Sequence, residues 1–113
     1  MIKKFKPYTH SRRSMTVADY STLTKIPREK ALTKRLKKNA GRNNQGRISM
    51  RHQGGGNKII YRHVDFLQEK KGVPCKVETI EYDPYRTAFI AKVIYADGDR
   101  RYLIAPHKLE VGA

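Results

Sequence analysis

Seventeen of the 25 Lys and Arg residues lie within residues 1–62, where the only acids are Asp19 and Glu29, so that stretch carries +15. Residues 63–113 hold eight cations against eight acids and carry no net charge. A segment so loaded repels itself and has too little apolar surface to fold alone. The neutral remainder must supply the fold, which makes this chain a basic arm on a folded body. Its 113 residues suit one domain and leave no room for a large enzyme core. A polyanionic partner is the first expectation, and no enzymatic activity is expected.

The lone Cys75 rules out an internal disulfide and a cysteine zinc cage, and a reducing compartment fits it best. No apolar run approaches the roughly 18 residues of a membrane span. Residues 1–8 lack the apolar region of a secretory signal. The basic, hydroxylated stretch from Met1 to Thr24 resembles an organellar transit peptide in composition, but Asp19 and the missing amphipathic period count against that reading.

Between Met1 and Ile26 no helical or alternating period is sustained; Met15, Val17, Tyr20, Leu23 and Ile26 are scattered anchors. Pro27 can open a short helix running to Lys38, with Leu32 and Leu36 on one face and Lys30, Lys34, Arg35, Lys37 and Lys38 around them. Two leucines make it marginal in water, so it is expected to order only on docking. From Asn39 to Lys58, five glycines alternate with Arg42, Arg47, Arg51, His52 and Lys58. Glycine lets a backbone approach a partner closely, and arginine offers a planar fork to phosphate and base edges. Asn43, Asn44 and Gln45 add amide donors and acceptors.

The neutral half reads as four strands. Ile59–Phe66 alternates in part. Val77–Tyr82 breaks alternation between Val77 and Ile80, which predicts a bulge or local twist. Thr87–Tyr95 is strongly alternating, and Asp97-Gly98 is the best hairpin signal in the chain. A two-residue turn there pairs Tyr95 with Arg100 and Val93 with Tyr102, and Arg100–Ala105 returns until Pro106 stops it. The expected product is a small twisted sheet or part of a small barrel.

Catalytic and metal chemistry find no constellation. Cys75, next to Pro74, reads as a buried or half-buried structural residue. The four histidines never occur at paired ligand spacing, so neither metal nor cofactor is expected. Asp97 and Asp99 are explained by their turn, and Glu78 and Glu81 by a solvated strand edge. Gly54-Gly55-Gly56 lacks the Gly-Lys-Ser/Thr ending of a nucleotide-binding loop and precedes a strand. Close approach to a phosphate chain explains it better. An anionic membrane is the rival partner, but the basic stretch has no apolar amphipathic face. The Arg, Asn and Gly mixture suits folded RNA, with the arm ordering on binding.

The run Gly41-Arg42-Asn43-Asn44-Gln45-Gly46-Arg47-Ile48, followed by Arg51-His52-Gln53-Gly54-Gly55-Gly56 and Lys58, resembles the RNA-contacting loop of the universal large-subunit ribosomal protein L2 family. The likeness continues through Tyr61-Arg62, Val64-Asp65-Phe66, Gly72-Val73-Pro74, Glu81-Tyr82-Asp83-Pro84, Tyr95-Ala96-Asp97-Gly98 and Arg101–Pro106. Lys3-Lys4, Lys6-Pro7 and Arg12-Arg13 resemble the start of the bacterial form. The resemblance implies a mainly β architecture: a long, basic and mostly irregular N-terminal extension, then an OB-fold-like small antiparallel barrel, then an SH3-like barrel. It implies a structural role on 23S-type rRNA near the peptidyl-transferase region, supporting subunit assembly and translation. The rRNA contacts it implies are Lys3, Lys4, Lys6, Arg12, Arg13, Arg42, Asn43, Asn44, Arg47, Arg51, His52, Gly54, Gly55, Gly56, Lys58 and Arg62. Lys34, Arg35, Lys37 and Lys38 join them as cations of the same basic half.

Here residues 1–58 form the extension and Gly/Arg loop, and residues 59–113 the OB-like domain. Asn57 stands where the family usually has histidine, and Ile59-Ile60 replaces a pair that is often basic or polar. The chain ends at Ala113, so the last barrel strand is expected to be a stub or missing and the SH3-like domain absent. A truncated product, one half of a split protein and a fragment all fit that ending. Expected partners are large-subunit rRNA, neighbouring ribosomal proteins and, for a split protein, a separate chain with the other half; no membrane is expected. The bacterial cytoplasm is the expected site, an organellar ribosome the alternative. A rival function is a free-standing OB-like nucleic-acid module, with Phe89, Tyr95 and Tyr102 either stacking bases or forming core.

Overall fold

A computed structural model of the chain describes residues 2–113. Its centre is a three-stranded antiparallel sheet of β5 (Cys75–Glu81), β6 (Ile90–Tyr95) and β7 (Arg100–Ile104), with β6 in the middle. Two short ribbons precede it. β1 (Ile2–Lys4) pairs with β2 (Thr16–Ala18) across the four-residue helix α1 (His10–Arg13), and β3 (Thr33–Lys34) pairs with β4 (Tyr61–Arg62). The fold is mainly β, consistent with a small OB-like domain, and the sheets do not close into a barrel.

β5 contains the expected bulge. The register with β6 shifts between Val77 and Thr79, so Val77 and Ile80 both reach one face, where they pack with Ala91, Val93 and Tyr95. Leu23, Phe89, Leu103, Ala105 and Leu109 close over this cluster. The other face has a polar centre. Tyr102, fully buried, donates from its hydroxyl to Glu81 Oε2 at 2.9 Å, and Thr79 donates to Glu81 Oε1 at 2.9 Å. The backbone N–H of Glu29 donates to the Tyr102 hydroxyl at 3.1 Å. Burial, with Glu81 beside it, pushes the Tyr102 phenol up to about 12.

The β6–β7 hairpin exists, but its register is one residue from the expected one: Lys92, not Val93, faces Tyr102. The loop has three residues rather than two. Tyr95 O accepts from Gly98 N–H at 2.9 Å, Tyr95 N–H donates to Asp99 O at 2.9 Å, and Gly98 takes φ +84°. A turn followed by a left-handed glycine is the next commonest hairpin geometry after the two-residue loop. The shift moves Tyr102 off the aliphatic face and onto the polar one.

Three further expectations are corrected. No helix spans Pro27–Lys38; instead Thr33 pairs with Arg62 and Lys34 with Tyr61, and His63 N–H donates to Leu32 O at 2.9 Å. A two-leucine helix cannot outcompete those cross-strand bonds. The strand expected over Ile59–Phe66 is reduced to β4 and a parallel bridge from Val64 to Tyr102. Cys75 is exposed at the start of edge strand β5, and Glu81 is buried rather than solvated.

The outer edge of β5 is covered from both ends of the chain. Thr24 N–H donates to Ile80 O at 2.9 Å, while Gly112 N–H donates to Val77 O at 2.9 Å. Tyr20, one of the scattered anchors, packs its ring 5.7 Å from Tyr82 and 5.8 Å from Phe89. The basic half is thus pinned to the body at several points yet remains spread. Its spread gives a radius of gyration of 18.5 Å, against about 13 Å for a compact chain of this length.

Candidate nucleic-acid interface

Residues 63–113 neutralise themselves. Arg101 lies 2.7 Å from Asp65 and 3.1 Å from Asp99. Lys70 bonds both Asp97 and Asp99, and Arg86 bonds the fully buried Asp83. Glu78 sits 3.4 Å from both Lys92 and Arg100. The bond from Arg101 holds the Asp65 carboxyl below the usual carboxylate range, and the bonds from Lys70 do the same for Asp97 and Asp99.

The basic half does the opposite. Among the described residues, no Lys or Arg between positions 3 and 62 has a carboxylate within 4.0 Å. Of its 17 cations, 16 are exposed, Arg62 being half-buried. Of its two acids, Asp19 accepts from Ser21 N–H at 3.0 Å, and Glu29 donates its backbone N–H to the Tyr102 hydroxyl at 3.1 Å. A field this uncompensated is what a polyanion meets first.

The β3–β4 ribbon builds the first concavity. Because Lys34 pairs with Tyr61, the chain leaving β3 and the chain entering β4 run side by side. They enclose a groove of about 350 Å³ walled by Arg35, Lys37 and Lys38 on one side and by Gly55, Gly56 and Lys58 on the other. A Cβ on Gly56 would sit 3.8 Å from Lys38 Nζ, so that ammonium stands directly over bare glycine backbone. Cations over an open backbone wall suit a phosphate chain.

The loop from Asn39 to Gln53 builds the second. Asn43 Oδ1 accepts from the N–H groups of Gln45 and Arg47, each at 3.0 Å, and Asn43 N–H donates to Arg47 O at 2.9 Å. These bonds fold the loop back so that Arg42 bridges Ile48. Gly41 pins its base: its carbonyl accepts from Ser49 and Met50 N–H at 2.9 and 3.1 Å. With φ +71° and a Cβ position only 2.1 Å from Met50 O, no other residue fits there. Arg42, Arg51, His52 and Gly54 then line a hollow of about 300 Å³ with exposed Ile48 and Met50. His52 holds a left-handed φ of 61°, uncommon outside glycine.

Residues 29–113 match the family model described as Ribosomal Proteins L2, RNA binding N-terminal domain, three quarters of this chain. The chain belongs to the ribosomal protein L2 family. The L2 match begins at Glu29 and takes in both concavities and the central sheet, leaving β1, α1 and β2 outside it. L2 is a family of structural RNA-binding proteins.

The expected L2 contacts divide into groups. Arg35, Lys37, Lys38, Gly55, Gly56 and Lys58 meet in the groove; Arg42, Arg51, His52 and Gly54 meet in the hollow. Asn44 and Arg47 are exposed on the folded-back loop, and Lys34 is exposed on β3. Lys3, Lys4, Lys6, Arg12 and Arg13 are exposed on the separate β1–β2 ribbon, which pairs with no other sheet. There Arg12 lies 4.9 Å from the Phe5 ring centre. Asn43 has its side-chain oxygen committed to the loop. Arg62 is turned toward the body: its Nη1 donates to Ile60 O at 2.7 Å and its Nε is buried without a partner. Sequence reasoning missed the pinning role of Gly41, because the glycines from Asn39 to Lys58 read only as backbone open to a partner. Of the aromatics weighed as base stackers, Tyr95 and Tyr102 are buried in the body and Phe89 packs against the core.

Proposed function

We propose that this chain is a structural constituent of the large ribosomal subunit that binds 23S-type rRNA near the peptidyl-transferase region. In this reading it supports subunit assembly and translation and performs no chemistry of its own. The observation that carries it is the set of 16 exposed, unpaired cations in residues 3–62, six of which line a glycine-walled groove and an arginine-lined hollow. Phosphates occupy the groove over Gly55 and Gly56, where Lys38 and Lys58 supply charge. Arg42 and Arg51 offer bidentate forks to phosphates or base edges in the hollow. Lys3, Lys4, Lys6, Arg12 and Arg13 add contacts from the extension, while Arg62 supports the ribbon rather than reaching RNA.

Residues 1–58 act as the binding extension and loop, and residues 59–113 as the OB-like body. Neighbouring ribosomal proteins are the further partners, together with a separate chain where the SH3-like part of the family is encoded apart. The setting is the ribosome of the bacterial cytoplasm or of an organelle. Sedimentation of a lysate from the native source, followed by chemical footprinting of the large-subunit rRNA, tests this. The tagged chain is expected to travel with large subunits and to protect a discrete set of 23S-type nucleotides. Sedimentation as a free protein at low salt contradicts the reading.

A further inference from the structure

One exposed aromatic lies beside a preorganised guanidinium, outside both concavities. Phe66 is 63% exposed, yet the chain leading to it is fixed: Asp65 N–H donates to Tyr102 O at 2.8 Å, and the Asp65 carboxylate holds Arg101 at 2.7 Å. The guanidinium carbon of Arg86 lies 5.2 Å from the Phe66 ring centre and 5.6 Å from that of Tyr61. Arg86 is anchored by the fully buried Asp83, which also accepts from Tyr85 N–H at 2.9 Å. Burial opposes its charge, but the bonds from Asp83 and Tyr61 outweigh that and raise its pKa. Tyr61 is itself braced edge-on by Tyr85 at 5.5 Å and His63 at 5.4 Å. The ring and the guanidinium are therefore held in place before any ligand arrives.

We infer that Phe66 and Arg86 form a stacking platform for an unpaired nucleobase of a strand whose phosphates occupy the basic groove. The inference rests on the RNA-binding reading and deepens it. Continuity along the chain supports it: Tyr61, against which Arg86 packs, pairs with Lys34 at the mouth of the groove and follows its wall residue Ile59 by two positions. Charge decides between RNA and protein as occupant. An apolar protein patch gains nothing from the unpaired cations of the groove that the same β3–β4 ribbon builds, whereas a nucleotide strand uses both those cations and a flat ring.

The chain has no tryptophan, so Phe66→Trp installs a single indole at the site. The full-length variant is titrated with a single-stranded oligoribonucleotide and, separately, with inorganic polyphosphate. The platform predicts strong quenching of the indole by the oligonucleotide and none by polyphosphate, although both bind. It also predicts that Phe66→Leu, which keeps apolar area but loses the aromatic face, binds the oligonucleotide roughly tenfold more weakly and polyphosphate as the parent does. Oligonucleotide binding without quenching, together with an unaffected Phe66→Leu variant, overturns the platform, assigns Phe66 to a protein contact and leaves the RNA reading intact. Failure of the parent chain to bind the oligonucleotide at all overturns the RNA reading itself.

Discussion

The two halves of this chain handle charge in opposite ways. In residues 63–113 cations and carboxylates meet one another across the sheet and its loops, so that half spends its charge on its own fold. Among the described residues, the cations of residues 3–62 meet no carboxylate, and all but the half-buried Arg62 stand in solvent. Charge that is already paired inside a protein is of little use to a partner, and charge left unpaired does little for the fold. Binding and stability should therefore separate along the sequence, and substitutions can break that separation.

The largest effect should come from the arginines of the hollow and its folded-back loop. Replacing Arg42, Arg47 and Arg51 together by Ala should weaken binding to an rRNA fragment by roughly a hundredfold or more and flatten the salt dependence by about three units of slope. The same change at Lys70, Lys71 and Lys76 should leave affinity nearly intact and lower thermal stability, because Lys70 holds Asp97 and Asp99. Equal affinity losses would erase the contrast between the halves.

Next in size is Tyr102→Phe, which strips buried Glu81 of one of its two side-chain donors and leaves Glu29 N–H unpaired. It should cost about 2 kcal/mol in denaturant unfolding, with RNA affinity unchanged. Gly41→Ala is the mirror case. A methyl group 2.1 Å from Met50 O must displace the loop base, so affinity should fall roughly tenfold while the unfolding of the central sheet stays as it was. Gly46→Ala, with φ +79° but open space around it, should cost only the backbone strain of about 1 kcal/mol.

Acidity and alkalinity should act on the stability of the folded body through its ion pairs and its buried phenol. Asp65, Asp97 and Asp99 have lowered folded pKa values, so the stability they confer is present above about pH 4 and is lost as pH falls through those values. Tyr102 is raised, to about 12. Its contribution is complete below about pH 10 and disappears as pH rises through its folded value. Circular dichroism in acid and phenolate absorbance in alkali measure the two limbs.

The sequence made some of this readable and hid the rest for identifiable reasons. β6, β7 and the bulge in β5 were legible because alternation, its interruption at Val77–Ile80 and Asp97-Gly98 are all local signals. The register was not, because Gly98 serves a three-residue loop, and one residue of slip carries Tyr102 to the other face. The β3–β4 ribbon was hidden for a different reason: Thr33 and Arg62 are far apart in sequence, and neither segment alternates long enough to announce a strand. That pairing creates the groove, so the residue types of the site could be read from the sequence but their meeting place could not. Asn43 and Arg62 show the same limit. Both have suitable chemistry for RNA, yet one holds a loop and the other faces the body.

The salt dependence of affinity for a large-subunit rRNA fragment tests the division between the halves most directly. If the unpaired cations of residues 3–62 carry the binding, log K against log salt for the intact chain should fall steeply, by about 0.7 to 0.9 per phosphate neutralised. The Arg42, Arg47 and Arg51 variant should fall less steeply, while the Lys70, Lys71 and Lys76 variant matches the parent. A flat line for the parent, or one slope shared by all three proteins, would contradict the account.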